Sequence, residues 1–312
     1  MRLLSSIVFN RKLSRKLPSH NYFSLCLPKH VDIIEVGLRD GLQNEKRLFT
    51  LDEKRTYLDH MVKSGIKHIE IGSFVSPKWV PQMANTTELI ESIDPSTRSK
   101  LYLSALVPNM KGLEQAIASK VDEVVFFVST TDQFNKKNIN KTQVQAFEEF
   151  RKMAQIAHQH NIKIRGSISC CFKCPYEGYV DVSKVIDTYH QYKDLGAQTI
   201  DIADTIGAAT PVHVDRVLQK LLQIGTAKEF SVHFHDTNNL GIMNVQTALE
   251  MGITSVQSSL GGSGGCPYAS KRVGNLSTQK LLEFCFKHRI HTGVNINDVF
   301  IGDKWINHML KQ

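Results

Sequence analysis

Eight short β-branched runs recur at intervals of about 30 residues from Asp32 onward, and this regularity limits the fold more than any other feature of the 312-residue chain. The runs are Val31 to Val36, Lys67 to Ile71, Leu101 to Leu106, Glu123 to Val128, Ile162 to Ser169, Thr199 to Ala203, Phe230 to His235 and Ser255 to Leu260. A segment with helical features follows each. Thr50 and Glu53 form a capping-box pattern ahead of Leu58, Met61 and Val62, and Phe147, Phe150, Ala154 and Ala157 fall on one helical face. Gly65, Gly196 and Gly252 stand just before strands, where a helix C-terminus needs a residue that tolerates positive φ. Eight consecutive βα units predict a TIM (β/α)8 barrel of the α/β class over residues 32–312, with an open doubly wound sheet as the alternative. A barrel puts its chemistry at the C-terminal ends of its strands.

Charge enters because the chain carries +8, which would ordinarily suggest a polynucleotide partner. The excess is uneven. Residues 1–31 hold Arg2, Arg11, Lys12, Arg15, Lys16 and Lys29 with no acid, so most of it sits there and the barrel is close to neutral. Arg-rich, Ser-rich and acid-free, this stretch is expected to be a targeting segment for the mitochondrial matrix. The alternatives are a solvated extension and a cytoplasmic protein. No nucleic acid and no membrane are expected as partners, since no apolar run approaches the roughly 20 residues a spanning helix needs. A homodimer is left open as an assembly. The six cysteines are too sparse for a disulfide framework, so free thiols are expected. Cys170, Cys171 and Cys174 have no second C-x-x-C at ligand distance and read as ordinary thiols, and Trp79 and Trp305 read as packing residues.

Chemistry-capable residues cluster at the strand ends. Arg39-Asp40 follow the first run, Glu70 lies in the second, Asp201 and Asp204 close the sixth, and His233, His235 and Asp236 close the seventh. The eighth runs into Gly261-Gly262-Ser263-Gly264-Gly265-Cys266, with Asn275 beyond it. Residues i and i+2 of a strand share a face, so both imidazoles would project into the barrel mouth. An isolated pair reads more readily as hydrogen-bonded core histidines; with Asp40, Glu70 and Asp204 at neighbouring strand ends the metal reading prevails. The mixed nitrogen and oxygen set suits a divalent cation, Mg²⁺ or Mn²⁺, with Zn²⁺ or Co²⁺ also accommodated. Arg39 reads either as an oxyanion partner or as a structural ion pair with Glu70 or Asp204. The glycine-rich loop reads as a flap delivering Cys266, or as plain turn glycines.

Several stretches together resemble the 3-hydroxy-3-methylglutaryl-CoA lyases. These are Glu35-Val-Gly-Leu-Arg-Asp-Gly-Leu-Gln-Asn-Glu45, Ser73-Phe-Val-Ser-Pro-Lys-Trp-Val-Pro-Gln-Met83, Lys136-Lys-Asn-Ile-Asn140, Cys174-Pro-Tyr-Glu-Gly178, Asp204-Thr-Ile-Gly207 and Gly264-Gly-Cys-Pro-Tyr-Ala269. The resemblance implies an enzyme that cleaves an acyl-CoA thioester to acetyl-CoA and acetoacetate, in ketogenesis and leucine degradation. It implies metal ligands Asp40, His233, His235 and Asn275, substrate contacts from Arg39 and Gln43, Glu70 and Asp204 completing the polar site, and Cys266 as the catalytic thiol. Alternatives are an aldolase or Claisen-type enzyme on another 3-hydroxyacyl-CoA or 2-oxo acid, and a non-catalytic metal-binding relative. The chain departs from the family at Leu38, at Asn238-Asn239-Leu240, at Lys271-Arg272 and at Gln279-Lys280, which are expected to make the site mouth more basic. Lys46, Lys136 and Lys137 are the expected phosphate partners. The family's C-terminal redox cysteine does not precede Gln312, so regulation by that thiol is not expected.

Overall fold

The computed structural model describes residues 27–265 and 274–312. Its eight parallel strands are β1 (Asp32–Glu35), β2 (His68–Ser73), β3 (Tyr102–Leu106), β4 (Glu123–Ser129), β5 (Lys163–Ser169), β6 (Thr199–Asp204), β7 (Phe230–Phe234) and β8 (Ser255–Ser258). Each pairs with its sequence neighbours, and β1 pairs with β8 with Asp32 opposite Ser255 and Glu35 opposite Ser258, so the sheet closes. Closure excludes the open doubly wound alternative. Parallel neighbours need a crossover, and helices supply it, from Leu51–Lys63 after β1 to Thr278–Lys287 after β8.

The helices form where their sequences direct them. Thr50 Oγ1 accepts from the Glu53 amide at 3.2 Å while Glu53 Oε2 accepts from the Thr50 amide at 2.8 Å, so the capping box is closed. Phe147, Phe150, Ala154 and Ala157 are all buried on helix Gln143–Gln159. Gly65, Gly196 and Gly252 have φ of 88°, 76° and 89°, as helix C-termini require. A final helix, Ile296–Met309, packs against Leu51–Lys63 and brings Trp305 within 5.9 Å of the Tyr57 ring. A two-stranded ribbon, Lys173–Cys174 with Gly178–Tyr179, decorates the end of β5. No described helix is long and apolar enough to cross a membrane.

The apolar core lies between strands and helices. The barrel interior is different: at mid-height it holds Glu70, Ser104, Glu123, Arg165, Asp201 and Ser231, all buried. Barrels usually fill this layer with branched aliphatic side chains. A β-bulge in β2, between Glu70 and Gly72, interrupts the register with β3 next to this layer.

Candidate metal centre and active site

β1 ends in a π-helical turn, Gly37–Gly41, which carries Arg39 and Asp40. The Gly41 amide reaches back to the Val36 carbonyl at 3.1 Å, the five-residue step that defines such a turn. Its glycines are needed for close approach: a Cβ on Gly37 would stand 2.7 Å from Glu35 Oε1, and one on Gly41 would stand 2.6 Å from Ser263 Oγ. His233 and His235 come from the end of β7, and an isolated bridge between His235 and Asn275 brings Asn275 alongside.

The two imidazoles are oriented by their outer nitrogens. His235 Nδ1 lies 2.8 Å from the Thr205 carbonyl, which can only accept, so in the neutral ring Nδ1 carries the proton. His233 Nδ1 is likewise 2.8 Å from Gln257 Oε1. Both Nε2 atoms are then lone pairs, and they face each other at 3.1 Å. Asp40 Oδ2 stands 3.4 Å from one and 3.9 Å from the other. Burial, and after it the facing His235, push the His233 pKa down to about 4, which keeps the ring neutral. Burial alone would raise Asp40, but the Arg39 charge beside it holds it well below the usual carboxylate range. Three acceptors thus converge within 4.8 Å of one another. Like lone pairs do not stabilise one another; a cation among them would satisfy all three, so the donor set fits a divalent metal. Asn275 Nδ2 donates to Asp40 Oδ2 and to the Ser263 carbonyl, each at 2.9 Å, placing its amide at the rim of this set.

Beneath lies a row of ion pairs. Arg39 bonds Asp40 Oδ1 through Nη1 at 2.5 Å and Glu70 Oε1 through Nε. Glu70 Oε2 accepts from Arg165 Nη2 at 2.7 Å. Arg165 also donates to Ser104 Oγ at 2.9 Å and approaches Glu123 at 3.0 Å and Asp201 at 3.5 Å. The last two are ion pairs without hydrogen-bond alignment. Burial would raise Glu70, yet Arg39 and Arg165 outweigh it and leave it lowered; Asp201 is raised because there burial prevails over Arg165. Four carboxyl groups, those of Asp40, Glu70, Glu123 and Asp201, share two guanidinium groups in this row.

A cavity of about 840 Å³ opens over this apex. Arg39, Asp40, Gln43, His233, His235 and Gln257 line its polar side, and Leu106 and Phe127 face them from β3 and β4. Lys136 and Lys137 line its rim, while Lys46 is not among the lining residues.

Both readings of Arg39 meet in one geometry, since its ion pairs with Glu70 and Asp40 leave the side chain lining the cavity. Asp204 is engaged elsewhere: its two oxygens accept the Ala208 and Ala209 amides at 3.0 and 2.9 Å. Cys266, Lys271 and Arg272 lie outside the described residues. Trp79 corrects an expectation: it is 85% exposed at the cavity mouth instead of packed, because it stands on a turn with no inward face. Lys280 corrects another, because Nζ bonds Asp236 Oδ2 at 2.7 Å and its charge is offset locally instead of making the mouth more basic. Cys170, Cys171 and Cys174 are free thiols; hydrogen bonding, chiefly from Cys170, lowers Cys174 to about 5. Sequence reasoning missed Arg165 and Gln257. A charged or amide residue at inward parity within a strand is the signal that marks them.

The profile of the HMGL-like family matches residues 30–301. The mitochondrial hydroxymethylglutaryl-CoA lyase of Homo sapiens is 40% identical over 280 residues, covering 90% of this chain and 86% of that protein. The hydroxymethylglutaryl-CoA lyase YngG of Bacillus subtilis is 38% identical, covering 89% and 93%. Among solved structures, a hydroxymethylglutaryl-CoA lyase from Pseudomonas aeruginosa superposes with a TM-score of 0.88 at 37% identity, covering 92% of this chain and 95% of that one. One from Acinetobacter baumannii, in complex with coenzyme A and 3-methylmalate, gives 0.86 at 30% identity, covering 91% and 92%.

Proposed function

The chain belongs to the HMGL-like family, and from that premise we propose that it is a divalent-metal-dependent carbon–carbon lyase that cleaves 3-hydroxy-3-methylglutaryl-CoA to acetyl-CoA and acetoacetate. The observation that carries this reading is the convergence of His233 Nε2, His235 Nε2 and an Asp40 oxygen on one point beneath a cavity that Arg39 lines.

Asp40, His233, His235 and Asn275 would hold the cation, Mg²⁺ or Mn²⁺. When bound it polarises the C3 hydroxyl of the substrate and lowers its pKa. The protein's own residues do the rest. Arg39, fixed from two sides by Asp40 and Glu70, presents its charge where negative charge develops on the thioester oxygen as the C2–C3 bond breaks. Glu70, kept ionised between two guanidinium groups, serves that placement better than proton transfer. Asp204, whose two oxygens are held by the Ala208 and Ala209 amides, is assigned a proton relay on the sequence alone. Cys266 is assigned proton transfer at the reacting carbons on the sequence alone. Gln43 on the cavity wall is assigned a substrate contact, and Lys136 and Lys137 at the rim suit the anionic coenzyme A.

A coupled acetoacetate assay on protein stripped of metal and then supplied with Mn²⁺ or Mg²⁺ tests the reading: activity should return with metal, and Cys266→Ala should lose most of it. No acetoacetate under any metal would reject it. A relative from Pseudomonas aeruginosa, 38% identical, is named a 3-hydroxy-3-isohexenylglutaryl-CoA/hydroxymethylglutaryl-CoA lyase. With the apolar wall of Leu106 and Phe127, this favours a second reading, a longer chain at C3, which a panel of 3-alkyl analogues separates from the first. The acid-free segment 1–31 and the mitochondrial relatives support residence in the mitochondrial matrix, with 32–312 as the catalytic unit. Amino-terminal sequencing of the protein isolated from its source tests both.

A further inference from the structure

We propose that Gln82 is a positioning residue for substrate binding, whose buried side-chain amide clamps the stretch that carries Gln43 into the cavity. The inference rests on the reading above, in which Gln43 contacts the acyl-CoA, and names what holds that contact in place. The chain between the turn Gly37–Gly41 and helix Leu51–Lys63 puts Gln43 and Asn44 on the cavity wall. Its outer part, residues 45–50, belongs to no helix or strand. Such a stretch keeps one conformation only if its main-chain groups are tied elsewhere.

Gln82 ties them. It lies in the turn Pro81–Met83 after β2, next to Trp79 and Val80 at the cavity mouth, and is 3% exposed. Its Nε2 donates to the Leu42 carbonyl at 3.3 Å and to the Arg47 carbonyl at 3.1 Å, so one nitrogen brackets the Gln43 stretch at both ends. Its Oε1 accepts from the Phe49 amide at 3.0 Å. These partners fix which way the side chain faces, since a carbonyl can only accept and a main-chain N–H can only donate. Lys54, buried on helix Leu51–Lys63, donates through Nζ to the Gln82 carbonyl and to Asn85 Oδ1, the latter at 2.6 Å. That fastens the clamp to the helical layer. Gln82 is not among the residues that line the cavity, so its effect on a substrate passes through the stretch it holds.

The test is the kinetics of acetoacetate release from 3-hydroxy-3-methylglutaryl-CoA at saturating Mn²⁺, with thermal unfolding recorded in parallel. Wild type, Gln82→Met, Gln43→Ala and the double variant form the cycle. Gln82→Met keeps the volume and loses all three side-chain hydrogen bonds. It should raise KM about 10-fold, the scale of one lost substrate hydrogen bond, and change kcat by less than about threefold. Two residues acting through one contact do not add, so in the Gln43→Ala background the same substitution should raise KM by less than about twofold. Arg98→Met removes bonds to the Leu101 and Lys120 carbonyls at the opposite, N-terminal face of the barrel; it should lower the melting temperature and leave KM at the wild-type value. Wild type that releases no acetoacetate would reject the lyase reading itself. With wild type active, three results would overturn the positioning role: KM unmoved by Gln82→Met, KM raised equally with and without Gln43, or KM unmoved by Gln43→Ala. If Gln82→Met does not fold, Gln82→Glu takes its place in the cycle, since it keeps an oxygen for Phe49 and loses the donor that brackets the stretch.

Discussion

The apex at the barrel mouth and the charged layer at mid-height use the same residue types to opposite ends. Around Arg165 opposite charges meet: a guanidinium touches three carboxylates, and the neighbouring hydroxyls of Ser104 and Ser231 take up further valences. At the apex like meets like, with two imidazole lone pairs and a carboxylate oxygen aimed at one point. A buried network of opposite charges rigidifies what surrounds it, whereas a convergence of acceptors is a binding site that folding does not satisfy. The difference teaches that the abundance of ionisable groups in this barrel is not itself the sign of function. The sign is where acceptors converge with no donor among them.

That contrast should break cleanly under mutation. The largest effect is expected on activity from the apex: His235→Ala should lower kcat by roughly a thousandfold or more, since a polarising cation supplies several kcal/mol of barrier reduction. The same variant should leave the denaturant midpoint of the metal-free protein near wild type, because a repelling lone pair is removed; a collapse of stability would show the apex to be scaffold. The charged layer should answer in reverse. Arg165→Leu leaves several buried carboxylates uncompensated and should cost about 3–5 kcal/mol in urea unfolding, with or without metal. A variant as stable as wild type would mean that the layer rearranges or binds water.

The smallest effect sharpens the distinction. Saturating Mn²⁺ at 100 times its dissociation constant should stabilise wild type by about 2.7 kcal/mol, a gain reversed by chelation. His235→Ala should show no such gain, as read from paired melting curves with and without chelator. An equal shift in both would place the ion elsewhere.

Much of the fold was legible because it is written locally. Strand period, the Thr50–Glu53 box and the glycines at positions 65, 196 and 252 are each decided by a few consecutive residues, and all appear in the structure as read. The histidine pair was legible for the same reason, since alternation along β7 alone puts His233 and His235 on one face. Trp79 was misread because exposure depends on what a turn packs against, which neighbouring residues do not encode. Lys280 was misjudged because its partner, Asp236, lies 44 positions away. Arg165 and Gln257 went unnoticed because a charge or amide inside a strand declares nothing until the strands beside it are known.

By itself the sequence determined eight alternating strands and helices, with ionisable residues at the strand ends, because hydrophobic period and capping act over a few residues; closure of the sheet was decided by the pairing of β1 with β8. Only the tertiary structure decided which of those residues form a centre. Asp40, His233 and Asn275 come from elements remote in the chain, and closure of β1 against β8 brings them together. The proton on His233 follows the Gln257 amide oxygen on the neighbouring strand, since a tautomer follows the nearest acceptor in space and not the nearest in sequence.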